Sequence, residues 1–116
     1  MATDDDSMTI CAISVLAAIV ANVLHEGIGH GLLALLTGTR SGQLTTVAWS
    51  GGFDSRLVAA GGTMVNLAAG LAFWIALRCA THRSAHARYF LLLSCAFNLF
   101  TGTGYFLFSG VTNFGD

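Results

Sequence analysis

Residues 8–36 read MTICAISVLAAIVANVLHEGIGHGLLALL, a hydrophobic run of 29 residues. As an unbroken α-helix it would be about 43 Å long against a bilayer hydrocarbon core of about 30 Å, so it must tilt, bend or emerge at one end. Its polar residues collect in the second half: Asn22, His25, Glu26 and His30, with Gly27, Gly29 and Gly31 interleaved. Local distortion of a helix costs least there, because glycine tolerates backbone conformations that other residues resist.

Working outward, residues 37–56 form a polar connection. Its stretch Gln43-Leu44-Thr45-Thr46-Val47-Ala48-Trp49 is β-prone and is followed by the turn signal Ser50-Gly51-Gly52, so a short strand or hairpin against the membrane face is expected. Residues 57–77 then give 21 positions without an ionisable group, and residues 89–108 give another 20, both long enough to span. The intervening residues 78–88 are short, basic and polar, and His82 and His86 within them read as part of a solvated loop.

Composition points the same way. Hydrophobic residues make up 54% of the 116 and charged residues only 9%, whereas a soluble domain carries about a quarter charged residues. A water-soluble surface is hard to build from so few charges. With no proline, no lysine and no low-complexity linker, nothing divides the chain, so residues 1–116 are read as a single membrane-embedded domain. The expected fold is therefore an all-α membrane protein of about three transmembrane helices, near 8–36, 57–77 and 89–108, with a short β-prone connection between the first two. This makes the chain a multi-pass integral membrane protein with lipid as its surroundings.

The net charge is −1 and the arginines are scattered at Arg40, Arg56, Arg78, Arg83 and Arg88, which leaves no basic stripe to track phosphates and argues against nucleic acid as a partner. Cys11, Cys79 and Cys95 are odd in number and far apart, and two of them fall inside apolar runs as small hydrophobes. Residues 1–7 are acidic, unlike the basic start of a cleavable signal, so the first apolar run is expected to be retained. Three arginines in 78–88 against two in 37–56 favour the former on the cytoplasmic side by one residue.

Each later helix has a marked face. Gly62, Asn66 and Gly70 lie four apart in the second, and Ser94, Asn98 and Gly102 lie four apart in the third, with Thr101 and Tyr105 close by. Small residues permit close helix contact and an amide can bond across, so the two stripes are expected to face each other and the first helix. Ordinary packing seams would account for either stripe alone.

The cluster His25-Glu26-Gly27-Ile28-Gly29-His30 demands more, since an ionisable group at the bilayer centre costs about 2.5–3.5 kcal/mol on insertion scales. Placement at a helix end, with the side chains reaching water, is the plain alternative.

From Leu24 to Gly38 the chain resembles the site-2 protease family of intramembrane zinc metalloproteases, whose first core helix carries His-Glu-x-x-His followed by small and apolar residues. The later order is similar too: a β-prone segment ending in Gly51-Gly52, then Gly62-Thr63-Met64-Val65-Asn66 resembling the family's Gly-Pro-x-x-Asn, then Asn98, then Gly115-Asp116. The resemblance implies that His25, His30 and Asp116 hold zinc. It implies that Glu26 takes a proton from a zinc-activated water and passes it to the leaving amine, and that Asn66 and Asn98 hold an extended substrate or its oxyanion. The substrate would be a peptide or membrane protein embedded in the bilayer.

Three departures accompany it. The family's histidines are four apart, about 40° around a helix, whereas His25 and His30 are five apart, about 140° around a regular α-helix. A single π-type bulge between them, made cheaper by Gly27 and Gly29, would return both rings to one face. Thr63 stands where the family has proline, and Asp116 lies 18 residues beyond Asn98, where the family's aspartate follows soon after its asparagine. The ending directly after Gly115-Asp116 is read as a sign of a fragmentary chain.

A second function class stays open: a non-enzymatic membrane protein that keeps the fold for binding or regulation. In a regular helix Asn22, Glu26 and His30 would share one face at intervals of four and could bond across helices without metal.

Overall fold

The computed structural model describes residues 6–38, 42–44, 49–51 and 56–112. Three rods make up the described chain: one from Ser7 to Leu36, then α3 (Arg56–Cys79) and α4 (Ala85–Thr112). Each is long and apolar enough to cross a membrane, over Ser7–Leu36, Ala60–Cys79 and Ala85–Thr112. Large apolar side chains stay exposed along all three, among them Val15, Ile19, Trp74, Ile75, Phe100 and Phe106. Lipid would cover such a surface, whereas water would not tolerate it.

The first rod is composite. It opens as α1 (Ser7–Asn22), where the Asp6 carboxylate accepts from the Met8 amide at 3.2 Å and so caps the free end of the helix. It continues as a π-helical segment (Val23–Leu32) and closes as the single turn α2 (Leu33–Leu36). Gly38, at φ +86°, stops it in the left-handed conformation that glycine adopts without strain. The departure from α geometry between the histidines is thus present, and it runs over ten residues rather than one turn.

Beyond this rod, Gly42–Leu44 (β1) and Trp49–Gly51 (β2) pair antiparallel, with Gln43 opposite Ser50, and both lie against the π segment. Residues 45–48 and Gly52 of the β-prone stretch lie outside the described residues.

The later helices exceed the spans expected for them. Ser84 caps α4 by accepting from the Ala87 amide at 3.2 Å, so the helix begins at Ala85, and His86 stands in its first turn rather than in a loop. His82 stays in the exposed turn between the helices.

Contacts fix the direction of each rod. Tyr89 donates to Ser14 Oγ at 3.2 Å near the starts of α4 and α1, while Phe73, late in α3, meets Phe90, early in α4, edge to face at 6.3 Å. The first rod and α4 therefore run parallel and pack on each other, with α3 antiparallel to both.

The small-residue stripes meet in part as expected. Asn66 donates to Asn98 Oδ1 at 2.6 Å, and a side chain at Gly70 or Gly102 would run into Leu99 or Leu67 of the opposite helix. Gly62 faces the first rod, at its π segment. Replacing Gly102 with leucine should cost about 1–3 kcal/mol of stability by overpacking the α3–α4 seam. Unfolding in detergent reads this directly, and an unchanged midpoint would refute the seam.

Candidate functional site

His25 and His30 project from the π segment onto α3. In a π turn the backbone bond joins residues five apart, so side chains at i and i+5 stack, as those at i and i+4 do in an α-helix. Both imidazoles are 3% exposed, and their Nε2 atoms stand 3.3 Å apart.

The partners on the far side of each ring settle where its proton sits. His30 Nδ1 lies 2.7 Å from the Val58 carbonyl oxygen, which only accepts, so Nδ1 carries the hydrogen and donates it. His25 Nδ1 lies 2.5 Å from Asn66 Oδ1. The orientation of that amide is fixed in turn, because Asn66 Nδ2 faces the Ala21 carbonyl at 3.2 Å as well as Asn98 Oδ1. Asn98 Nδ2 then donates to the Ser94 carbonyl at 2.7 Å. A directed chain of hydrogen bonds therefore runs from His25 through Asn66 and Asn98 to the backbone of α4. In a neutral ring whose Nδ1 is protonated, Nε2 is left as a lone pair.

The two Nε2 atoms stand 3.3 Å apart, close enough to share a hydrogen bond or, with both rings neutral, to be bridged by a cation. Two nitrogen ligands of a tetrahedral zinc, at about 2.0–2.1 Å from the metal, are themselves about 3.3–3.4 Å apart. Ligand histidines also characteristically donate their other N–H to a carbonyl or carboxylate, as both rings do here. The spacing of the pair and its outer hydrogen bonds are those that two ligands of a zinc ion would have. Among the described residues no cluster of three or more His, Cys, Asp or Glu side chains forms. Asp116, the third ligand that the resemblance implied, lies outside the described residues.

Close backbone approach makes the convergence of the rings possible. A Cβ at Gly62 would stand 2.6 Å from His25 Nε2 and 2.7 Å from His30 Nε2, so only glycine leaves the space in front of both nitrogens open. One turn away, Gly29 packs on the backbone of Gly61 and Gly62 with no room for a side chain. The spacing of four placed Gly62 on a face expected to meet both α4 and the first helix, without saying which of the two it meets.

Glu26 is half-buried beside His25. Asn22 is exposed while His30 is buried, so the stripe of Asn22, Glu26 and His30 that a regular helix would create does not form. Asn66 and Asn98 are both fully buried, and their amides point inward to the His25 chain. Tyr105, seven residues after Asn98 and so on the same face of α4, stacks on His25 with ring centroids 4.7 Å apart and planes inclined by 24°. Nothing in the sequence beyond that spacing signals the stack.

The site lies near the hairpin end of the bundle, since Val58, which holds His30, is in the first turn of α3.

Removing the outer partner of His25 should be costly. Asn66→Leu is expected to lower zinc affinity by about 10–100-fold, the usual effect of losing such a partner. A zinc titration of the variant at unchanged helix content measures it. Neither a family model, nor a curated protein, nor a solved structure matches the chain, so the assignment of this site rests on its own geometry.

Proposed function

We propose that this chain is a multi-pass integral membrane protein and a zinc metalloendopeptidase of the site-2 protease type, acting on peptide bonds of membrane-embedded substrates. The observation that carries the reading is the pair of Nε2 atoms, 3.3 Å apart, each on a ring whose Nδ1–H is held by a carbonyl oxygen. His25 and His30 would hold the metal through these nitrogens, with Asp116 as the third ligand. Zinc in such a site acts as a Lewis acid and brings the pKa of a water toward 7.

The remaining work falls to the chain. Glu26 takes the proton of the attacking water and delivers it to the leaving amine, the role of the glutamate that follows the first histidine in zinc proteases. Asn66 and Asn98 fix the tautomer and direction of His25. Gly62 keeps the space before the two nitrogens free. The exposed apolar faces of the three rods set the site in lipid, and a polar interior among helices is the one arrangement that admits water at such depth.

One observation favours a second reading. The hydrogen-bond chain from His25 to the Ser94 carbonyl ties all three rods together without a metal, as a non-enzymatic membrane protein would require. Zinc analysis of protein purified in detergent separates the two. Near-stoichiometric zinc, with cleavage of a reconstituted transmembrane peptide, supports the protease; a wild type that stays zinc-free after supplementation ends that reading.

A further inference from the structure

At the opposite end of the bundle from the histidines, α3 and α4 border a cleft of about 620 Å³ lined by Leu77, Arg78, Thr81, Arg88, Tyr89 and Leu92. Its walls come from two helices and the turn that joins them: Leu77 and Arg78 are in the last turn of α3, Thr81 is in the turn, and Arg88, Tyr89 and Leu92 are near the start of α4. Val58, which holds His30, lies 20 residues before Arg78 on α3, so about 30 Å of helix separates the cleft from the histidine pair. The cleft is a site of its own and does not depend on the zinc reading.

Its walls are held in place. The Ala80 amide donates to the Leu77 carbonyl at 3.2 Å and the Arg83 amide to the Ala80 carbonyl at 3.1 Å, which closes the turn, and the Arg88 amide donates to the Ser84 carbonyl at 3.0 Å. The Tyr89 hydroxyl is engaged by Ser14, and Phe73 against Phe90 joins the same ends of α3 and α4.

Two charges of one sign line this cleft without an answering one. The acidic side chains among the described residues are Asp6 and Glu26. Asp6 is taken up by the Met8 amide and the Thr9 hydroxyl, and Glu26 lies in the π segment with the histidines. Neither Arg78 nor Arg88 therefore has a carboxylate partner among the described residues. The rest of the lining is apolar: Leu77 is half-buried, and Leu92, one turn deeper into the span of α4 than Arg88, is 51% exposed.

We propose that this cleft holds one anionic phospholipid of the bilayer, its phosphate against Arg78 and Arg88 and its acyl chain along Leu77 and Leu92. A guanidinium presents its donors as a fork that matches phosphate oxygens, and basic pockets between membrane helices take such headgroups. A soluble phosphate would satisfy the arginines but leave the two leucines uncovered, whereas a lipid answers both halves of the lining. The arginine count that favours this end as cytoplasmic also sets it against the leaflet where anionic lipid collects.

The test uses the full chain, delipidated in a neutral detergent at fixed ionic strength, as wild type, Arg78→Gln, Arg88→Gln and Arg83→Gln. Arg83 is exposed in the same turn but does not line the cleft, so its variant removes one charge and leaves the cleft intact. Native mass spectrometry counts the phosphatidylglycerol or phosphatidylcholine bound, with inorganic phosphate as competitor. Wild type should take up one phosphatidylglycerol with at least about tenfold preference over phosphatidylcholine, the sum of two such arginines. Arg78→Gln and Arg88→Gln should each weaken that binding about fivefold, while Arg83→Gln leaves it unchanged.

A wild type without preference overturns the proposal. So do equal losses in all three variants, because net charge alone would then account for the binding. Displacement of the lipid by millimolar inorganic phosphate would give the cleft to a soluble anion and overturn it as well. Lipid selectivity is read without zinc, so its outcome stands apart from that of the metal analysis.

Discussion

Glu26→Gln should hold zinc as the wild type does while its cleavage of a membrane-embedded peptide falls by at least about 10²–10⁴-fold, the usual contribution of a general base. The amide matches the carboxylate in size but cannot accept the water's proton. Glu26 follows His25 directly in the π segment and is half-buried, so it stands next to the pair, whose rings meet edge to face at 83°. His25→Ala and His30→Ala should lose metal and activity together, since either change leaves a single imidazole of the pair. Zinc stoichiometry and cleavage rate across the wild type and the three variants form one experiment. Full cleavage by Glu26→Gln would remove it as the base, and zinc retained by both alanine variants would remove the histidines as ligands.

Gly62→Ala should have the second largest effect, although it adds only one methyl group. That methyl would press on His25 at 2.5 Å from Cε1 and on both Nε2 atoms within 3 Å. Neither side can give way. The rings are held from behind by Asn66 and the Val58 carbonyl, and the π segment cannot retreat sideways because Gly29 and Gly61 already pack backbone on backbone. Overpacking of this kind costs about 1–3 kcal/mol, equivalent to roughly a 5–150-fold loss of zinc affinity if it falls on the site. Helix content should persist, and Gly104→Ala, with open space around it, should change neither quantity. Wild-type zinc affinity in Gly62→Ala would mean that the rings do not converge in front of residue 62.

Much of the architecture was readable because length and polarity determine it. Runs of 29, 21 and 20 residues with few or no ionisable groups leave little choice but three rods. Their ends were less legible: the basic residues 78–88 read as one loop, yet Ser84 caps a helix that takes in His86 and Arg88. The histidine pair was legible as a cluster, and its spacing of five required a departure from α geometry. The extent of that departure was not legible, because two positions constrain the net rotation between them and say nothing about how many bonds share it. Asn66 and Asn98 were found through a spacing of four, which places a residue on a face but does not say whether its amide turns toward a substrate or toward a neighbouring ring. Tyr105 was placed beside that face in the same way, but its stack on His25 was not legible, since stacking depends on how two helices approach.

The π segment has a consequence for how this site is recognised at all. Joining residues five apart takes up one extra peptide unit between His25 and His30 within Val23–Leu32. The nitrogens then meet as they would in a helix one residue shorter. A search that counts letters between histidines passes over such a centre, while one that asks where two lone pairs cross in space would find it. Deleting Ile28 would leave histidines four apart, the spacing that an ordinary α-helical turn already brings together.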